Sequence, residues 1–149
     1  MNSKASVLVI EDQPTVQMML SDILSVDCEV SVAGRGDVAL ALAADMKPDI
    51  IILDVGLPDM TGFEVCRRLK ADPRTKRIPI IFLTGHNSEE KELRGLEAGG
   101  IDYLTKPINV FLLRARLKNH IAERHEQQRA IAQAVSAAQV AQQAGVSDR

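Results

Sequence analysis

The sequence predicts an α/β domain in which repeated βα units surround a five-stranded parallel sheet, followed by a helical extension. Three observations carry this reading. Short β-branched runs alternate with segments of helical period over about the first hundred residues. Two of those runs, Asp49 to Leu53 and Ile78 to Thr84, are almost continuously apolar, as interior strands covered on both faces must be. Acids follow the first and third runs directly, Glu11 and Asp12 after one and Asp54 after the other.

The elements follow in order. The first strand, Ser6 to Ile10, leads to a helix over Thr15 to Ser25, with Pro14 suited to its first turn. A second strand, Glu29 to Ala33, precedes a helix over Asp37 to Met46. The third strand, Asp49 to Leu53, is followed by a helix over Gly62 to Lys70 that Thr61 can cap. The fourth, Ile78 to Thr84, leads to a helix over Ser88 to Ala98, where Asn87 and Glu90 have capping-box spacing and Gly99 supplies a left-handed closing residue. After the fifth strand, Ile101 to Leu104, a last helix begins at Asn109, which can cap it. Leu112, Leu113, Leu117 and Ile121 give that helix a packing stripe. From Arg124 onward only Ile131, Val135 and Val140 stand among alanines and glutamines, so the helix is expected to leave the globule as an exposed or weakly coiled-coil segment ending at Gly145. Met18, Met19, Met46 and Cys66 read as core or gap-filling residues.

Length and composition agree with one domain plus an appendage: 149 residues, 46% hydrophobic and 26% charged. A formal charge of -2 argues against a nucleic-acid footprint over the whole chain. The basic residues after Pro107 are scattered and lack aromatic partners, which is the pattern of a solvated helix. Cys28 and Cys66 have neither disulfide-framework nor zinc spacing, and a reducing cytoplasm is the expected location. The longest apolar runs, Val7 to Ile10 and Ile50 to Leu53, are stopped by acids, so no membrane span is expected. No secretory signal is expected at the N-terminus either.

Ligands of open parallel sheets bind outside the carboxyl ends of the strands. Glu11, Asp12, Asp54, Thr84 and Lys106 should therefore converge on one edge. Three carboxylates at about 5 Å repel by roughly 3 kcal/mol per pair at an effective dielectric near 20. Lys106 offsets only part of that. An oxygen-only donor set without histidine or thiol selects Mg²⁺, with Mn²⁺ as the alternative, over zinc. Any one of these acids alone would read as a turn or capping residue; all five positions together do not.

These residues resemble the receiver domains of two-component response regulators. The resemblance is carried by Val7 to Asp12, by Asp49 to Asp54 with Leu57-Pro58-Asp59-Met60-Thr61-Gly62, by Pro79 to Thr84, and by Ala98 to Pro107. It covers about residues 5 to 122, leaving 123 to 149 as a helical extension or linker. It implies a flavodoxin-like doubly wound sheet of order 2-1-3-4-5. It also implies that Asp54 accepts a phosphoryl group from a phosphohistidine, with Asp12, Asp54 and the Gly56 carbonyl as metal ligands and Glu11 acting through water. Lys106 and Thr84 would each contact a phosphoryl oxygen, and Tyr103 would be the switch aromatic that moves inward as Thr84 shifts. Gly85 would leave room for that movement, and the Lys106-Pro107 bond would be cis.

Partners implied are a sensor histidine kinase or histidine phosphotransfer protein, and an effector domain or protein reached through the fourth helix, fifth strand and fifth helix. Homodimerisation through that face or through the terminal helix is a further expectation. Gly56 and His86 stand where family side chains tune access of water, and Asp59-Met60 reads as a loop variation without mechanical meaning. No effector motif follows within the chain, and no enzyme activity beyond self-phosphorylation and slow autodephosphorylation is implied.

Other readings fare worse. A phosphatase of the haloacid dehalogenase type would want an acid where Gly56 stands. The pair Gly34 and Gly36 follows the second strand and lacks the third glycine of a dinucleotide fingerprint. His120 and His125, five apart, suit no one-face metal pair and read as solvated. The second hypothesis of another class is a receiver-like interaction module that works through its long helix without phosphorylation.

Overall fold

In the computed structural model, which describes residues 4–85 and 89–145, five strands alternate with five helices. They are β1 (Ala5–Ile10), α1 (Pro14–Leu24), β2 (Cys28–Ala33), α2 (Gly36–Met46), β3 (Ile50–Leu53), α3 (Gly62–Ala71), β4 (Ile80–Thr84), α4 (Glu89–Ala98), β5 (Asp102–Thr105) and α5 (Val110–Gly145). All strand pairs are parallel, in the order β2-β1-β3-β4-β5. Because β1 feeds β2 on one side while β3 pairs on the other, the chain reverses its winding between β1 and β3. That reversal opens a crevice at their carboxyl ends.

Strand residues divide by parity. Leu8, Ile10, Ile51, Leu53, Ile80 and Phe82 pack against Ala39 and Ala43 of α2 and Phe63, Val65, Cys66 and Leu69 of α3. Val7, Val9, Ile50, Ile52, Ile81 and Leu83 pack against Leu20 and Leu24 of α1 and Leu113 and Leu117 of α5. Every residue of β3 is at most 1% exposed, so each large aliphatic there contributes about 1.5–3 kcal/mol by burial. The apolar runs of β3 and β4 thus lie inside the sheet, as their composition requires.

Local chemistry sets the boundaries. Pro14 opens α1, Thr61 Oγ1 accepts from Glu64 N–H at 3.1 Å, and Asn109 Oδ1 accepts from Leu112 N–H at 3.1 Å. Gly99, at φ 114°, closes α4. Lys47 closes α2 in the left-handed region at φ 47°, which no residue type announced. The Lys106-Pro107 peptide bond is cis, as the resemblance implied. Asn87 and Ser88, expected at the start of α4, lie outside the described residues.

Three expectations need correction. Met18 is 67% and Met19 41% exposed, so only Met46 of the three packs against the core. His120 is largely covered and His125 remains 42% exposed, but both anchor α5. His120 Nε2 lies 3.1 Å from Asp102 Oδ2, and His125 Nε2 lies 3.2 Å from Asp49 Oδ1. Arg116 reinforces the first contact, with Nη1 at 2.6 Å from both Asp102 oxygens. Burial pushes the Asp102 carboxyl up, but Arg116, His120 and the Tyr103 N–H overcome this and hold it below the usual range. Finally, α5 stays on the globule through Arg124 and His125, and every residue from Glu126 to Gln143 is exposed.

Candidate functional site

Each strand end delivers one part of the site. Directly after β1, Glu11 is 1% exposed, while Asp12 stands at the surface. Directly after β3, Asp54 is 8% exposed, and its N–H donates to the Ile10 carbonyl at 2.9 Å, which fixes it beside the end of β1. One carboxylate oxygen from each of Glu11, Asp12 and Asp54 lies within 4.8 Å of the others. Thr84, the last residue of β4, is 2% exposed. Lys106 follows β5, and its N–H donates to the Thr84 carbonyl at 2.7 Å. The crevice between them, about 430 Å³, is lined by Asp12, Asp54, Gly56, Thr84 and Lys106 among others. All five side chains read from the sequence therefore meet at one edge.

Charge at the site is only partly compensated. Lys106 Nζ lies 2.7 Å from Glu11 Oε1 and 3.8 Å from Asp54 Oδ2, so Glu11 is its main partner. The other Glu11 oxygen accepts from Gln13 N–H at 3.1 Å. Burial, then the Glu11 charge, push the Asp54 carboxyl up to about 6, with Lys106 and the N–H groups of Val55 and Gly56 opposing. The donor set fits a hard divalent cation: Asp12 and Asp54 offer carboxylate oxygens at the mouth, and among the described residues no sulfur or imidazole joins the cluster.

Close packing holds the acceptor loop. A Cβ at Gly62 would lie 2.3 Å from the Asp54 carbonyl oxygen, and Gly62 N–H donates to the Val55 carbonyl at 2.7 Å. Only glycine permits this approach. At Gly56 and Gly85 a Cβ would meet nothing within 4 Å, so both positions leave the crevice open. His86 lies outside the described residues.

Asp59 and Met60 do have a mechanical role, contrary to the expectation. The Asp59 carboxylate accepts from Gly36 N–H at 2.8 Å and Asp37 N–H at 2.9 Å, capping α2 from a different loop. Those two bonds hold its carboxyl below the usual range. Met60 lies against Gly36, where a Cβ would come within 2.6 Å of Met60 Cγ.

Tyr103 sits on β5 with its ring 6.2 Å from that of Phe82, beneath Gly95 of α4. It hydrogen-bonds Thr84; burial raises its phenol pKa, the Thr84 bond opposes, and Glu92 and Asp54 add to the rise. Lys91 of α4 and Gln13 also line the crevice, and the sequence reading omitted both. Gln13 could have been found as the residue after the acidic pair; Lys91 depends on how α4 tilts over the mouth, which spacing does not show.

The sequence profile of the response regulator receiver domain matches residues 7–118. The chain is 43% identical over 116 residues to the response regulator PleD of Caulobacter vibrioides, covering 77% of this chain but 26% of PleD. Chemotaxis protein CheY4 of Vibrio cholerae is similar in structure, with a TM-score of 0.74 at 36% identity over 78% of this chain and 98% of that one. The BeF3-activated N-terminal receiver domain of Klebsiella pneumoniae RstA gives a TM-score of 0.73 at 34% identity, covering 78% and 97%.

Proposed function

Since the chain belongs to the response regulator receiver domain family of two-component signalling, we propose that Asp54 accepts a phosphoryl group from a phosphohistidine in a Mg²⁺-dependent reaction, Mn²⁺ being able to substitute. The donor is a sensor histidine kinase or a histidine phosphotransfer protein. The observation that carries this reading is the meeting of Glu11, Asp12, Asp54, Thr84 and Lys106 at the β1/β3 crevice.

Asp54 Oδ is the nucleophile: a P–O bond forms as the P–N bond to the donor imidazole breaks, and the imidazole leaves with its electron pair. Asp12, Asp54 and the Gly56 carbonyl would hold the cation directly, with Glu11 reaching it through water. The cation supplies charge neutralisation between the carboxylate and the incoming phosphoryl oxygens. Lys106 lies 3.8 Å from Asp54, close enough to turn from Glu11 toward a phosphoryl oxygen once the metal compensates the acids. Thr84 would give its hydroxyl to another phosphoryl oxygen, and leaving Tyr103 is what releases the aromatic switch. Gly56 carries no side chain to screen the acceptor from attacking water, and Gly85 leaves room for Thr84 to move.

The output surface is α4, β5 and α5, where Leu93, Leu96, Ile101, Phe111 and Leu112 are 41–86% exposed. An effector, or a second copy of the chain, is the partner for that face or for the α5 extension. The chain spans about a quarter of the length of PleD. Among the described residues no helix is long and apolar enough to cross a membrane, and both cysteines are free and buried, in keeping with a reducing cytoplasm. A phosphorylation-independent interaction module is the weaker reading, because binding alone gives no reason to bury Asp54 beside Glu11.

Acetyl phosphate with Mg²⁺ tests the proposal. One phosphoryl group should add to the wild type, none to Asp54→Asn, and none in EDTA. Labelling that survives the substitution would move the acceptor elsewhere.

A further inference from the structure

At the opposite end of the sheet lies a group of cations that phosphotransfer does not use. Residues 67–77 carry Arg67, Arg68, Lys70, Arg74, Lys76 and Arg77 against the single acid Asp72. Local pairs engage half of them: Glu64 is shared by Arg67 and Arg68, each at 2.8 Å, and Asp72 takes Arg74 at 2.8 Å. Lys70 Nζ donates instead to the carbonyls of Lys76 and Ile78, at 3.1 and 2.7 Å.

The root of the α5 extension then adds Arg124. Its Nη1 donates to the Arg77 carbonyl at 2.8 Å, while its Nε–H is buried without an acceptor. The nearby acid, Asp49, is engaged by Ser6 N–H at 2.8 Å and by His125 at 3.2 Å. Among the described residues, no carboxylate forms an ion pair with Arg77 or Arg124. Two guanidiniums thus share one neighbourhood without a direct ion pair, Asp49 being the acid whose charge reaches Arg124.

Between the loop before β4 and α5 these groups border a cleft of about 640 Å³. That size matches a small-molecule site rather than a single ion, typical pockets being about 300–1,000 Å³. Arg77 and Arg124 supply guanidinium donors that suit phosphate, Arg74 being held by Asp72, the amides of Gln127 and Gln128 supply neutral donors and acceptors, and Ile131 belongs to an apolar wall. The acids Glu64 and Asp72 interrupt the basic surface that a nucleic-acid backbone would follow.

We propose that this cleft binds a phosphate-bearing small anion of nucleotide size, with the phosphate held by Arg77 and Arg124. One wall is the loop before β4 and the other is the root of α5, so an occupant ties the extension to the globule.

The test is a ¹⁵N-correlation NMR titration of the full chain in EDTA, following arginine Nε and glutamine side-chain signals, with pyrophosphate in one series and ATP or AMP in another. Saturable shifts confined to Arg77, Arg124, Gln127 and Gln128, with Kd at or below about 1 mM, are expected. Arg77→Gln, an exposed substitution, should weaken binding by about tenfold or more, as loss of a charge-assisted hydrogen bond requires. Tighter binding of nucleotide than of pyrophosphate would identify a base-reading site; equal binding would identify phosphate as the whole ligand. Shifts that fail to saturate, binding unaffected by Arg77→Gln, or tighter binding of a short DNA duplex would each overturn the proposal. Acetyl phosphate labelling of Asp54 in the same variant should be unchanged.

Discussion

Replacing Asp54 by Asn should stabilise the metal-free protein, and by an amount that depends on pH. Asp54 is 8% exposed, and its carboxyl is raised from 3.8 to about 6 in the fold. Raising an acid above its unfolded value means that the unfolded chain ionises it more readily, so ionisation favours unfolding. The penalty is absent below pH 3.8, grows between there and about 6, and is constant above. At about 1.4 kcal/mol per pH unit its ceiling is about 3 kcal/mol. Asparagine keeps the shape, and its oxygen can still accept from the N–H groups of Val55 and Gly56. Removing the charge does not orphan Lys106, which remains 2.7 Å from Glu11. Urea unfolding in EDTA should therefore show Asp54→Asn more stable by about 1–3 kcal/mol at pH 8 and equal to wild type near pH 4. Saturating Mg²⁺ should reverse the order, since a ligand at 100 times its Kd adds about 2.7 kcal/mol to the protein that binds it. Equal stability of the two proteins at pH 8 in EDTA would refute the claim that Asp54 is held ionised against its surroundings.

Three further outcomes follow from the geometry. Gly62→Ala should cost about 2 kcal/mol or more and abolish labelling of Asp54, because the new Cβ would lie 2.3 Å from backbone that has nowhere to go; wild-type stability would contradict this. Asp59→Ala should speed hydrogen exchange in the first turn of α2, at Gly36 and Asp37, and nowhere near the acceptor. Because the Asp59 carboxyl lies below its ordinary 3.8, its stabilisation is present at neutral pH and disappears only as the pH falls below that value. Truncation after His125 removes residues that are exposed through Gln143 and should change unfolding stability by no more than about 0.5 kcal/mol; a larger loss would show that the extension packs on the globule.

What the residues disclosed in advance was governed by range. The strands of the sheet interior were readable because two-sided burial demands unbroken apolar runs such as Ile50-Ile51-Ile52-Leu53, and Glu11, Asp12, Asp54, Thr84 and Lys106 were readable because each ends a strand or follows one within two residues. The helix caps at Thr61 and Asn109 act over three residues and were equally plain. Contacts between distant loops were not. Asp59 caps a helix 22 and 23 residues earlier, and nothing in Asp59-Met60 itself says so. His120 and His125 looked idle until Asp102 and Asp49 were seen opposite them. Met18 and Met19 fit a helical stripe but fall on its outer side, a phase that only the docking of α1 decides. Lys106 was expected at the acceptor, and its stronger attachment to Glu11 depends on a side-chain choice that spacing leaves open.

The length of α5 has a mechanical consequence. It is one helix of 36 residues, clamped near its middle by the Asp49–His125 contact and exposed from Glu126 through Gln143. At 1.5 Å per residue the part after His125 is a stiff arm of about 30 Å. A tilt of about 10° at that fulcrum would sweep the tip through about 5 Å, so an adjustment too small to disturb the sheet becomes a displacement another protein can sense.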